Sequence, residues 1–180
     1  MVTMRHSTNE TVTIRKAVKT DAVSIASIHS NTWRVAYKGI VPLDVLEKMS
    51  FNNRLEYFRN ILETEEEETV VAVVENLVVG FMTFGKSRDE DLGSENAEVW
   101  GIYIDVSYFN KGIGKSLMNW VENEFTSRGF RSVYLWTLED NLRASMFYSS
   151  LGYSRDGKTK YLMDDPKMKA SRYCKNIDVL

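Results

Sequence analysis

Apolar and polar positions alternate over residues 12–18, and the pattern changes at Asp21, after which Ala22, Ile25, Ala26, His29 and Trp33 fall on one helical face. The chain thus opens with a strand followed by a helix. Pro42 suits the start of the next helical segment, and Leu43, Leu46, Leu55, Phe58 and Leu62 carry an apolar stripe through two short helices. Runs of β-type residues at 69–75 and 78–85 meet at Glu75-Asn76, which predicts a tight hairpin. The polar stretch 86–96 holds two acidic segments flanked by glycine and predicts an exposed loop. A helix is expected from about Gly112 to Arg128, with Leu117, Trp120, Val121 and Phe125 inward and Gly129 at its end. Residues 131–137 read as a strand, Asn141 opens a further helix, and two β segments fall within 153–163 and 169–179.

Residues 98–118, EVWGIYIDVSYFNKGIGKSLM, join a strand to a helix through a short turn and the loop Gly112-Ile113-Gly114. Such a junction binds anions: glycines let a ligand approach the backbone, and the first helical turn offers unpaired N–H groups at its positive end. A phosphate-bearing cofactor is therefore expected. A dinucleotide fingerprint would need a third glycine where Leu117 stands, although Glu139 lies at about the right distance beyond. A phosphate loop built on Gly114-Lys115-Ser116 would need glycine at the position of Phe109.

The 180 residues fit one domain, over 12–180, preceded by a flexible tail over 1–11. Net charge of −2 and a pI near 5.8 provide no broad positive field for nucleic acid or anionic lipid. A single cysteine, Cys174, excludes an internal disulfide framework and a cysteine-built metal site. The N-terminal residues are polar where a signal peptide would be apolar, and no window is long enough for a membrane span, so the cytoplasm is the expected location, with no membrane partner. The oligomeric state stays open, a homodimer included.

Adding the segment RSVYLWTLEDNLRASMFYSSLGYSRDG at 131–157 separates the cofactor readings. The glycine loop, the strand, the Asn141-led helix and its Phe147-Tyr148-x-x-Leu151-Gly152-Tyr153 ending together resemble the GNAT N-acetyltransferase superfamily. Thr13-Ile14-Arg15-Lys16-Ala17 with Asp21 resembles the family's first strand and helix start, and Trp33, Tyr37 and Gly39 resemble a common subgroup. The resemblance covers essentially the whole chain. It implies an α+β fold with a central mixed, mostly antiparallel sheet of about seven strands flanked by about four helices and opened between two strands. It also implies acetyl-CoA as cosubstrate, no metal, and an amine acceptor.

Residue by residue, the resemblance places Phe109, Asn110, Lys111, Gly112, Ile113, Gly114 and Lys115 at the pyrophosphate. It gives the backbone of Ile102, Tyr103 and Ile104 to the pantetheine amides and adds Asn141 to the pantetheine contacts. Phe109 departs from the family pattern, which has Gln or Arg there; backbone amides carry most of the contact, so this change weakens it less than loss of Gly112 or Gly114 would. Tyr148 is implied to lie beside the sulfur, protonated at neutral pH and able to donate to the leaving thiolate. Glu98 reads equally as a proton acceptor, often acting through water in the family, or as a solvated strand-end carboxylate. Trp33 and Tyr37 read either as acceptor-pocket residues or as packing aromatics. Direct transfer to a primary amine in a ternary complex is implied, with a polyamine or amino acid favoured. A protein amino terminus or lysine as acceptor and a CoA-binding regulatory module without transfer activity are the alternatives. The acidic runs 65–68 and 89–91 would draw a cationic amine if they were free, and form ordinary solvated surface if they are not.

Overall fold

The computed structural model describes residues 2–5 and 11–177. Among these residues the chain runs β1 (Val2–Arg5), β2 (Thr11–Lys16), α1 (Ala22–Ala36), α2 (Leu43–Lys48), α3 (Phe51–Thr64), β3 (Glu68–Val74) and β4 (Leu77–Lys86). It continues with β5 (Asn96–Ile104), α4 (Ile113–Ser127), β6 (Ser132–Leu138), α5 (Leu142–Ser150), β7 (Ser154–Tyr161) and β8 (Lys169–Asn176). One sheet holds the strands in the order β1-β2-β3-β4-β5-β6-β8-β7. Neighbours are antiparallel except for the parallel β5–β6 pair, so the mixed, mostly antiparallel sheet expected from the sequence is present. Within the stretch expected as a tail, Val2–Arg5 pairs with Thr11–Ile14 as an edge strand, and residues 1 and 6–10 lie outside the described residues.

Both faces of the sheet are covered, which is why β3 reads as a continuous apolar run. Val70, Ala72 and Val74 point to one side, where Leu117, Val121 and Phe125 of α4 bury them. Val71 points to the other side, against Ile25 and Ala26 of α1 and Phe58 and Ile61 of α3. The β3–β4 turn is the predicted two-residue hairpin, with Glu75 and Asn76 at φ 48° and 67°, the geometry that matches the twist of the flanking strands.

One irregularity shapes the molecule. The β4–β5 ladder slips between Thr83 and Phe84, which oppose Gly101 and Val99, so Trp100 is an extra residue on β5. A bulge of this kind bends its strand. The parallel β5–β6 pairing covers only Asn96–Val99 against Ser132–Leu135. Beyond it β5 stays with β4 as far as Ile104, while β6 stays with β8 as far as Leu138. The sheet therefore splits after Val99.

Candidate active site

A cavity of about 640 Å³ occupies the split. Its walls are the free edge of β5 from Trp100 to Ile104 and, across the gap, Trp136 and Thr137 of β6. Trp136 is fixed from behind: its indole N–H donates to Asp89 at 2.9 Å, and the Lys160 ammonium lies 4.0 Å from the ring centre. Ile102 and Ile104 turn their side chains into the α4-side core, and Tyr103 turns to the opposite face against His29 and Phe81. All three residues line the cavity, the Tyr103 phenol lies near Tyr148 and Tyr37, and the Ile104 carbonyl already accepts from the Thr32 hydroxyl at 2.9 Å.

The glycine loop closes one end. Gly112 has φ +77°, a conformation that favours glycine, and stands as the N-cap of α4 with no side chain to bond the first-turn amides. Gly114 is close to α5: a Cβ there would lie 3.1 Å from the Phe147 ring. Phe109, Asn110, Gly112, Ile113, Gly114 and Lys115 all line the cavity. Lys111 does not; its ammonium sits 4.5 Å above the Tyr108 ring.

At this loop the structure brings in a residue that sequence reasoning missed. The guanidinium of Arg143 stacks 3.9 Å from the centre of the Phe109 ring and donates to the Asn110 side chain at 3.3 Å. A cation thus stands beside the position where the family pattern has Gln or Arg. The available signal was helical phase: Arg143 is four residues before Phe147, so both project from the same side of α5.

At the other end lie Tyr148, Asn141 and Tyr37. Asn141 is buried at the start of α5, and its carbonyl accepts from the Ala144 amide at 3.1 Å, as a helix cap should. Asn141 also lines the cavity together with Tyr37, so capping and a place at the site coexist in one residue. Tyr148 is 7 % exposed, and burial, reinforced by the nearby Tyr103, pushes its phenol above the ordinary value. The group therefore holds its proton across the physiological range. Burial raises Tyr37 in the same way.

Glu98 and Trp33 lie outside the cavity lining. Glu98 is a buried strand residue, 6 % exposed, whose carboxylate accepts from the Arg88 amide at 2.8 Å. Burial raises its pKa, the Asp89 charge adds to the rise, and the Arg88 bond opposes it. It is therefore a better proton acceptor than a solvated glutamate. Trp33 packs between His29 and Tyr37, with ring centres 5.7 and 4.5 Å away, inside the core formed by α1, α2, β6 and β8. Tyr37 borders the split itself. Among the described residues no three His, Cys, Asp or Glu side chains are grouped to hold a metal, and no helix is long and apolar enough to cross a membrane.

The fold is similar to that of proteins of known structure, and the sequence to that of known relatives. A protein of Bacillus subtilis (strain 168) called uncharacterized N-acetyltransferase YuaI is 24% identical over 163 residues, 88% of this chain and 89% of that protein. The crystal structure of PaiA N-acetyltransferase from Thermoplasma acidophilum in complex with coenzyme A superposes with a TM-score of 0.71 at 19% identity, covering 92% of this chain and 98% of that one. YncA of Salmonella typhimurium, a putative acetyltransferase with its cofactor acetyl-CoA, superposes with a TM-score of 0.68 at 19% identity, covering 94% and 95%. The family model described as acetyltransferase (GNAT) family matches residues 31–153, a span from α1 to the residue before β7 that contains the split, the glycine loop and Tyr148. The chain belongs to the GNAT acetyltransferase family.

Proposed function

We propose that this protein moves the acetyl group of acetyl-CoA directly to a primary amine, a small molecule such as an amino acid or polyamine, within a ternary complex. The observation that carries this reading is the split itself, with uncapped helix amides at Gly112 to Lys115 at one end and the protonated hydroxyl of Tyr148 at the other. Bound acetyl-CoA supplies an activated thioester carbonyl and a thiol leaving group. Coenzyme A or acetyl-CoA occupies the structures of the PaiA and YncA relatives, which supports the same ligand here.

The residues divide the work by their chemistry. The first-turn amides of α4 hold the pyrophosphate, with Lys115 and Arg143 adding positive charge. The β5 edge from Gly101 to Ile104 takes the pantetheine arm as an added strand. Tyr148, whose buried phenol keeps its proton at neutral pH, donates to the sulfur as the thiolate leaves. Glu98 accepts the proton released by the amine; an ordinary alkyl amine of pKa about 10.4 costs roughly 4 kcal/mol to hold as free base near pH 7.4, so an acceptor matters. Direct transfer is favoured over a thiol-bound intermediate because Cys174 is on β8, outside the cavity lining, with burial pushing its thiol up and so away from the nucleophilic form.

The melting temperature of the protein with acetyl-CoA, CoA, ATP-magnesium or NAD tests the cofactor, since a ligand bound only by the folded state raises it. A rise with acetyl-CoA and CoA alone is expected, and a rise with ATP or NAD instead would overturn the assignment. Thiol release with a panel of amines then tests transfer. Tight acetyl-CoA binding without thiol release would favour the CoA-binding module.

Two further results are expected. Arg143→Ala weakens acetyl-CoA about tenfold by calorimetry, the worth of one exposed charge-assisted contact at roughly 1.4 kcal/mol; unchanged affinity would leave Arg143 as a packing partner of Phe109. For Glu98, the raised pKa means that the acceptor form is lost as pH falls through a value above the ordinary carboxylate figure of about 4.3. Wild-type kcat/KM should therefore show an acidic limb displaced upward from that figure, and Glu98→Gln should abolish the limb and cost about a hundredfold at neutral pH. A limb and rate preserved in the variant would remove Glu98 from proton transfer.

A further inference from the structure

A second cavity, of about 140 Å³, opens on the α1 and α3 face of the sheet and shares Trp100, Gly101 and Tyr103 with the cofactor cavity. The two spaces therefore lie on either side of the bulge where the sheet splits, with these three residues between them. The smaller one is walled by Arg54 and Tyr57 of α3, His29 of α1, Glu67 and Arg88.

Its charges are not balanced. Glu67 is already satisfied, accepting from the Tyr57 hydroxyl at 2.8 Å and from the Arg88 guanidinium at 3.0 Å. Arg88 also stacks 3.6 Å from the Trp100 ring centre. Arg54 has no such partner: among the described residues it makes no ion pair, it donates only to the Met49 sulfur at 3.7 Å, and its Nε is buried with no acceptor. Its guanidinium lies over the rings of Tyr57 and Phe58, 4.1 and 5.4 Å from their centres. The indole N–H of Trp100 is a second buried donor without an acceptor. A half-buried guanidinium with no direct ion pair, whose nearby carboxylate Glu67 is already engaged by Tyr57 and Arg88, is costly, and each unsatisfied buried donor adds to that cost. An anion entering this space would supply the counter-charge that the Arg54 guanidinium lacks. His29 lines the same space without supplying charge, since burial and the Arg54 cation push its pKa down to about 3 and leave it neutral.

The acidic loop that would instead have drawn a cationic acceptor is occupied. Asp89 accepts from Trp136 and pairs with Arg172 and Lys160, and Asp91 pairs with Arg172 and Lys158. The Arg172 guanidinium holds the Asp91 carboxyl well below the ordinary carboxylate range. These carboxylates serve the fold, and the net unpaired charge at the cavity is the cation of Arg54.

We propose that this second cavity is the anion pocket of the acceptor site, and that the acceptor is an amine carrying a carboxylate, which pairs with Arg54 while its amine is directed through the bulge towards the cofactor cavity. The assignment of an acceptor rests on the transferase reading above; the anion pocket does not. Polyamines, which carry no anion, are excluded as preferred substrates by this arrangement.

The test uses the twenty standard amino acids together with 3-aminopropanoate and 4-aminobutanoate, each compared with its carboxamide, and putrescine and spermidine as anion-free amines. In thiol-release kinetics the best carboxylate should exceed its amide and both polyamines by at least about tenfold in kcat/KM, the factor for one lost charge pair. Arg54→Met keeps the apolar stem over Tyr57 and Phe58; it should raise KM for the carboxylate by about tenfold or more, erase the preference over the amide, and leave KM for acetyl-CoA unchanged. Arg54→Lys should restore part of the preference. Amides or polyamines used as well as carboxylates, or a preference that survives Arg54→Met, would overturn the proposal. A second readout needs no turnover: the melting temperature of the CoA-bound protein with the N-acetyl derivatives of the same acids and amides. A rise specific to the acids and lost in Arg54→Met supports the anion pocket even where no amine is acetylated, an outcome that would sink only the transferase reading. Equal behaviour of acids and amides in the wild-type protein overturns the pocket.

Discussion

Gly112→Asp should abolish useful binding of acetyl-CoA, lowering affinity by about three orders of magnitude in calorimetry. Two costs add. Gly112 has φ +77°, and a side chain held in the left-handed region costs roughly 1 kcal/mol, paid in the fold or, where the loop relaxes, in loss of the binding geometry. A carboxylate about 5 Å from a pyrophosphate charge adds roughly 3 kcal/mol per unit charge at an effective dielectric near 20. Their sum of about 4 kcal/mol corresponds to about a thousandfold in Kd. Gly112→Ala separates the terms, since it keeps the backbone strain and omits the charge; about a fivefold loss is expected. Affinity retained in the aspartate variant, with an unchanged melting temperature, would show that the amides at the start of α4 do not hold the cofactor.

Tyr148→Phe should lower kcat by 10² to 10³ while the Kd for acetyl-CoA stays within about twofold, the range for loss of a positioned general acid. The fold should tolerate the change, because the ring packs against Phe147, Tyr153 and Tyr173 with centres 5.3, 6.1 and 6.3 Å away, and its hydroxyl makes no hydrogen bond to the described residues. The sign of the pH effect is also determined. Burial raises the phenol above its ordinary value of about 10, so the donor form persists on the alkaline side and Tyr148 itself imposes no fall in kcat below about pH 10. Turnover equal to wild type would remove Tyr148 as the acid. Tyr37, which lines the same cavity, would then be the next hydroxyl to replace.

Much of this was legible in the order of residues, for a local reason. Hydrophobic period distinguishes strand from helix within ten or fifteen positions, so the expected strands and helices, the Glu75-Asn76 hairpin and the helix starting beyond Gly112 correspond to β2 to β8 and α1 to α5 within a few residues. The glycine loop and the Asn141 cap are likewise properties of a few consecutive residues, and each lies where its segment predicted. The residues that interact across the fold were not legible in this way. Arg143 reaches Phe109 only because α5 packs beside the α4 loop, and Asp89 and Asp91 are paired only because β8 brings Arg172, and β7 Lys158 and Lys160, beside them. Trp33 and Lys111, which the family resemblance places at the site, lie against the rings of the cavity residues Tyr37 and Tyr108, contacts that no local period encodes.

The sequence by itself determined the elements, their order and the groups that the glycine loop and Tyr148 present, because those depend on short-range backbone preference and side-chain identity. The split that makes them a site was decided by tertiary structure. Trp100 is displaced as a bulge by its register against β4, and β6 leaves β5 after Val99 because its other edge remains bonded to β8 along its length. The second cavity and the unbalanced charge of Arg54 follow from the same packing, since a guanidinium lacks a counter-ion only once every neighbouring carboxylate has found another partner in space.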